Sequence, residues 1–169
     1  MNLLLKKIQF YILLFIPPAL VTGPFLSDLA VSISGIIFLY ISIKDRTIGH
    51  YIGKKVVVIF FIWCFFLILS SIFSSNYFLS LESSLFYFRF GLFSLAVWYM
   101  LENHSNFGKS FSYSLSTVFI FLLLDGFIQF FYGVNILGYE YHGGRLGSLF
   151  GDELVLGNFL SRLSPFLFA

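Results

Sequence analysis

Charge is what this chain has least of. Only 11% of its 169 residues are Asp, Glu, Lys or Arg, whereas soluble domains carry about 25% and soluble surfaces need about 25–35%. Ten basic and eight acidic side chains cannot cover a water-exposed globule of this length. Cysteine is nearly missing too. The single Cys64 cannot close an internal disulfide, and inside an apolar run it reads as a small buried hydrophobe. No Walker loop, GxGxxG, HExxH, CxxC or GxSxG occurs, and His50, His104 and His142 stand far apart, which gives no metal-ligand spacing. The net charge of +2 points to no nucleic-acid partner. A soluble enzyme, a disordered tail and a secreted disulfide scaffold are all excluded on these grounds.

What is abundant is apolar, at 59% of residues, and it falls in long runs separated by short polar breaks. A membrane span needs about 20 mostly apolar residues. The stretch from Ile8 to Ile43 is too long for one span, and Pro17, Pro18, Gly23, Pro24 and Asp28 interrupt it. It divides into spans at about 8–22 and 28–43 around the turn Thr22-Gly23-Pro24. Lys6 and Lys7 precede it without a cleavage site, so the first helix is expected to be retained. Val56 to Phe73 is a third span, Leu85 to Leu101 a fourth and Phe111 to Phe131 a fifth. A loop rich in glycine and tyrosine, Tyr132 to Asp152, leads to Leu154–Ala169, which begins a sixth. Barrel strands are only about 9–11 residues long and alternate in polarity, and these runs do neither. The sequence therefore predicts an all-α polytopic helical bundle of about six spans, forming a single transmembrane region over 1–169.

Lysine and arginine set the expected orientation. With the N-terminus inside, the inner side holds Lys6, Lys7, Lys44, Arg46, Lys54, Lys55 and Lys109, against Arg145 alone in the outer loops. Those outer loops are then Thr22–Ser27, Ser74–Ser84 and Tyr132–Asp152. The last run has no basic flank at its inner end and carries Arg162, so it reads as a truncated span and the chain as the N-terminal part of a longer protein.

Intramembrane charge is the most informative remaining signal, because it costs about 2.5–3.5 kcal/mol at a span centre. Arg89 lies about five residues, roughly 7 Å, inside the fourth span; it either snorkels to the interface beside Tyr87 or faces the interior to hold an anion. Asp125 is deeper, with Gln129 one turn beyond on the same face, and by depth Arg89 is its nearest cation. The segment Gly144-Arg145-Leu146-Gly147-Ser148-Leu149-Phe150-Gly151-Asp152-Glu153 places a cation, two acids and bare backbone at the outer mouth. A sixth helix starting near Asp152 would add its positive end beside Arg145, or would simply use Asp152 as its cap. Arg162 follows about nine residues, roughly 13 Å, further along, with Asn158 a turn before it. Arg145, Arg162 and Arg89 thus suggest a ladder of guanidiniums, whose planar forks suit a lipid pyrophosphate. His142 is the histidine on that side; His50 and His104 read as solvated residues of inner loops.

The pattern Leu81-Glu82-Ser83-Ser84-Leu85-Phe86-Tyr87-Phe88-Arg89-Phe90, then Asp125-Gly126-Phe127-Ile128-Gln129, then Gly144 to Glu153, resembles the N-terminal half of O-antigen ligase-like membrane proteins. That resemblance implies a glycosyltransferase of the bacterial inner membrane, active at the periplasmic face. It implies a glycan donor on undecaprenyl pyrophosphate, an acceptor that is lipid A-core or a growing glycan, and no metal or other cofactor. Arg89, Arg145 and Arg162 match arginines of the family's pattern, with Asp125, Gln129, Asp152, Glu153 and Asn158 as a supporting polar network. The family's large periplasmic loop, with its catalytic histidine and arginines, falls after Ala169, so those residues are not carried over and the chain alone is expected not to transfer glycan. A lipid-linked glycan flippase and a noncatalytic scaffold in contact with membrane lipids are the competing readings.

Overall fold

A computed structural model describes residues 2–141, 144–151 and 153–168. Among these residues all extended elements are helical: α1 (Asn2–Val21), α2 (Pro24–Lys44), α3 (Ile48–Ile52), α4 (Lys55–Ile72), α5 (Tyr77–Leu85), α6 (Phe88–Asn103), α7 (Phe107–Tyr132), α8 (Leu156–Leu163) and α9 (Pro165–Phe168). A 3-10 turn at Ser148–Phe150 precedes α8.

Five stretches are long and apolar enough to cross a membrane: Leu3–Val21, Pro24–Lys44, Lys55–Ile72, Tyr77–Asn103 and Phe107–Tyr132. Their order agrees with the first five expected spans, and they are compatible with a multi-pass membrane protein. The expected sixth is absent among the described residues. Leu154 and Val155 are not helical, α8 has only eight residues, and α9 follows as a separate four-residue helix. The break falls before Pro165, which has no N–H to continue the ladder, although Ser164 itself keeps helical dihedrals at φ −54° and ψ −35°. The fourth span also differs. Residues expected in the Ser74–Ser84 loop form α5, and a turn at Phe86–Tyr87 joins it to α6.

Helix α4 shows what solvent these helices are built for. Val56, Ile59, Ile62 and Phe65 are 61–77% exposed, while Val57, Cys64 and Ser71 are buried. A helix this apolar with so little of it covered is stable only against lipid, where a helix also satisfies its own backbone. Cys64 is buried and free, as its setting implied.

Contacts divide the chain into two compact units, one holding the first turns of α1 to Leu13 with Leu29–Ser105, the other Leu14–Asp28 with Asn106 onward. In the first unit, small residues let helices approach. A Cβ on Gly35 would stand 3.1 Å from the Leu92 Cβ, and one on Gly91 only 2.3 Å from the Phe60 ring, the close packing that drives association where lipid removes the hydrophobic force. Lys6 pairs with Asp45 at 3.1 Å. Phe38, Trp98 and Tyr99 surround the Tyr51 ring edge-on. The Tyr51 hydroxyl and Trp98 Nε1 donate to the Glu102 carboxylate at 2.8 and 2.7 Å, with His50 Nε2 3.8 Å away. His104 packs against Phe10.

The second unit explains how α1, with Pro17 and Pro18 inside it, tolerates the second of them. Pro18 has no N–H to offer the Leu14 carbonyl, and the Ser114 hydroxyl of α7 donates to that oxygen at 2.7 Å. A side chain from a neighbouring helix thus supplies the missing bond. Helix α1 ends with the Thr22 hydroxyl on the Ala19 carbonyl, Gly23 turns at φ 118°, and Pro24 opens α2, a position where its missing N–H is harmless.

Ser114→Ala should lower stability in detergent by about 1 kcal/mol, the usual worth of one such bond. Most of that loss should vanish in a Pro18→Ala background, where the residue-18 amide serves Leu14; an equal loss in both backgrounds would contradict the assignment. Burial, then the bond to Glu102, pushes the Tyr51 hydroxyl up from 10.0 to about 12. Because the fold favours the neutral phenol, its stabilising contribution is whole below pH 10 and is lost as pH rises through about 12. Ultraviolet titration of wild type against Tyr51→Phe should show one phenol ionising that late; identical curves near 10 would refute it.

Candidate functional site

Helix α7 carries Asp125 and Gln129 one turn apart, and both are almost wholly buried, at 0% and 1% exposure. The helix stops at Gly133, left-handed at φ 79°, whose amide returns to the Gln129 carbonyl. The chain then doubles back in a small hairpin. Asn135 N–H donates to Tyr139 O, Tyr141 N–H donates to Gly133 O, and Val134 bridges Glu140. Asn135 Oδ1 accepts from the Leu137 and Tyr139 amides at 3.0 and 2.8 Å, which closes the turn from inside.

That hairpin and the turn after it meet the α7 polar face. The Asp125 carboxylate accepts from Asn135 Nδ2 at 3.2 Å, the Ile136 amide at 3.0 Å and the Ser148 hydroxyl at 2.6 Å. Gln129 Oε1 accepts from the Ser148 amide at 2.8 Å, and its Nε2 donates to the carbonyls of Tyr139 and Glu140. Asn135 Nδ2 also donates to the Ser148 carbonyl at 2.8 Å. A buried charge without partners costs several kcal/mol. Here three neutral donors from the same unit meet it. Depth in the sequence had pointed to Arg89 as its partner.

Local backbone geometry serves the same docking. Ser148 holds φ 49°, uncommon for a residue with a side chain, and this aims both its amide and its hydroxyl at α7. A Cβ on Gly147 would fall 2.2 Å from the Gly151 carbonyl oxygen, so the 147–151 turn closes only over glycine. Leu146 and Leu156 lie against Gly126, and Phe159 meets Phe119 and Phe150. Helix α8 is thereby amphipathic. Leu156 is buried and Phe159, Leu160 and Leu163 half-buried, whereas Gly157, Asn158, Ser161 and Arg162 are exposed.

The network's hydrogen-bonding capacity is spent on holding backbone, so Asp125 and Gln129 position the loop rather than offer free acid–base groups. What the clamped segment presents is Arg145, exposed beside Gly144, with exposed Glu153, Asn158 and Arg162 further on. Asn158 and Arg162 share one face, as their spacing required. Helix α8 begins at Leu156, so the expected helix end beside Arg145 near residue 152 is not there. Asp152 and His142 lie outside the described residues. Arg89 belongs to the first unit, in the first turn of α6. It is half-buried, its guanidinium 5.0 Å from the Phe90 ring centre, and it lines a cavity of about 340 Å³ with Glu82, Ser83, Phe86 and Phe90. Asn135 and Ser148 were not singled out from sequence. Their signal was local only, an Asn three residues before a Gly and a Ser between glycines, which marks turns without naming the carboxylate they would meet.

No protein-family model, curated protein or solved structure matches this chain.

Asn135→Ala and Asp125→Ala should each release the 133–151 segment from α7 and make it cleavable by an added protease under conditions where wild type resists. The double variant should be little worse than either single one, because both break one network. Resistance in both single variants would show that the apolar contacts at Gly126 suffice.

Proposed function

We propose that this chain serves surface-polysaccharide assembly in the bacterial inner membrane, as an O-antigen ligase-like glycosyltransferase that uses a glycan carried on undecaprenyl pyrophosphate at the periplasmic face and delivers it to lipid A-core or a growing glycan. The observation that carries the reading is exposed Arg145 on a loop locked to α7 by a buried network, with exposed Asn158 and Arg162 on α8 after it. Supporting it are five span-length helices, the lysine and arginine bias between loops, and the order of the three motifs along the chain.

Glycosyl transfer from a lipid pyrophosphate breaks the bond between the sugar and the phosphate oxygen, and negative charge grows on the departing pyrophosphate. Guanidinium forks bind two oxygens at once and stay charged. Held on a rigid backbone, they neutralise that charge without paying for ordering at the moment of reaction. Arg145 and Arg162 hold the pyrophosphate in this reading. Asp125, Gln129, Asn135 and Ser148 position the segment, while Asn158, Asp152 and Glu153 supply polar contacts to the glycan. Membrane lipids surround the isoprenoid tail.

Arg145→Ala and Arg162→Ala in the full-length protein should each weaken capture of undecaprenyl pyrophosphate about 10- to 100-fold, the worth of a charged hydrogen bond. Binding to protein in lipid nanodiscs reads the capture, and recovery of capped lipopolysaccharide in a ligase-deficient strain reads the transfer. Wild-type behaviour of both variants in both assays would remove the arginine grip.

A further inference from the structure

The first unit treats its buried polar side chains in two ways. At the α4–α5 elbow Ser71 and Ser83 return their protons to the Leu67 and Leu79 carbonyls at 2.8 and 3.1 Å, and Ser94 on α6 does the same to Phe90 at 2.9 Å. Ser42, near the end of α2, is fully buried, yet its hydroxyl has no partner among the described residues. The Gln9 amide on α1 lacks one for both its nitrogen and its oxygen, and Gln9 is 0% exposed. Tyr99 on α6, 3% exposed, likewise completes no hydrogen bond through its hydroxyl.

These groups share one layer of the unit. Lys6 of α1 pairs with Asp45 of α2 at 3.1 Å, and this contact sets the register of the two helices. Gln9 follows Lys6 by one turn and Ser42 precedes Asp45 by one turn, so both stand roughly 4.5 Å beneath the ion pair. Lys6 Nζ is 5.8 Å from the Tyr99 ring centre, which brings the α6 side chain to the same level. One turn deeper, Leu13 and Phe38 are 1% and 0% exposed and form an apolar floor, with the Phe38 ring 6.0 Å from that of Tyr99. The Thr47 amide caps the Ser42 carbonyl at 2.9 Å, and its own buried hydroxyl oxygen is unpartnered too.

Buried polar groups left unpaired are costly, and native interiors leave few of them. Here Gln9 Nε2 and the hydroxyls of Ser42, Thr47 and Tyr99 all keep uncommitted protons beside one ammonium. The field around them is positive, because this end of the unit carries Lys6, Lys7, Lys44, Arg46, Lys54 and Lys55 against Asp45 and Glu102. Asp45 is engaged by Lys6, and Glu102 by Tyr51 and Trp98. Such a field repels a second cation beside Lys6 and favours an acceptor that is itself charged. We propose that this layer binds a small monovalent anion of the halide class, held by Gln9 Nε2 and the Ser42 and Tyr99 hydroxyls, with the Lys6 ammonium at its mouth. Bound there, the anion ties α1, α2 and α6 together. The site does not depend on the function proposed above.

The test unfolds the full chain in neutral detergent with sodium chloride, sodium bromide or sodium gluconate at equal ionic strength. Chloride and bromide should raise the unfolding midpoint along a saturating curve, and the bulky gluconate should not. Exchanging sodium for potassium should change nothing. Tyr99→Phe and Ser42→Ala should each weaken chloride about tenfold, one charged hydrogen bond's worth. In gluconate both variants should unfold no earlier than wild type, because each removes an uncompensated polar group. Ser34→Ala deletes another buried, unpartnered serine of α2, two turns below the layer, and should keep the wild-type chloride response. Broadening of the chloride NMR line by folded wild type, reduced in Tyr99→Phe and Ser42→Ala, reads the same site without unfolding. Equal midpoints in chloride and gluconate leave only surface screening and overturn the proposal. So does a response that follows the cation, an unchanged chloride affinity in both variants, or an equal loss of stability in both salts.

Discussion

The Asp125 carboxylate is buried, and every donor that makes its burial tolerable comes from residues 135–148. This ties two statements together. The Asp125 side chain keeps these partners only while the loop is docked, and the Ile136 and Ser148 amides keep theirs only while Asp125 and Gln129 receive them. A partly satisfied network of this kind is worse than an apolar contact, so the arrangement is held all at once or not at all. The left-handed Ser148 and the side-chain-free turn at Gly147 are strained or permissive choices that make sense only as means to that docking.

The same constraint, that polar backbone must find partners where water is absent, explains features elsewhere. Pro18 is tolerated inside α1 because a hydroxyl on α7 takes over the bond it cannot make. The serines of α4 and α5 return their protons to carbonyls one turn back, or to one another across the elbow. Glycines stand where α6 meets its neighbours, as at Gly91 under the Phe60 ring. Without a hydrophobic drive between helices in lipid, close contact and hydrogen bonding hold the assembly.

For function, the consequence is a division of labour. Buried Asp125, Gln129, Asn135 and Ser148 hold the loop's shape, and Arg145 and Arg162 stand exposed; in the function proposed above, these are the groups that meet an anion. Fixing a loop before a ligand arrives lowers the ordering cost of binding, which gives the polar interior a role without direct contact with the reacting atoms.

Much of this molecule was legible from composition and run length. Five apolar stretches of span length, the turn at Gly23-Pro24, the shared face of Asp125 with Gln129 and that of Asn158 with Arg162 all follow from periods of 20 residues or one helical turn. Such periods are local and need no knowledge of neighbours. The expected truncated sixth span is not seen as one continuous helix among the described residues, and hydropathy counts apolar residues whether they face lipid or another helix. Residues 154–168 bury only one side, against α7, and Pro165 cuts the helix. The partners of Asp125 were likewise out of reach. Which donors arrive at a buried carboxylate depends on how a flexible loop folds back, and sequence order holds no distance between Asp125 and Ser148. Residue chemistry determined that this chain has helices long and apolar enough to cross a membrane and that its buried Asp125 would need partners; only the tertiary fold decided that Asn135, Ile136 and Ser148 reach it, because hydrogen-bond geometry is fixed in space and not along the chain.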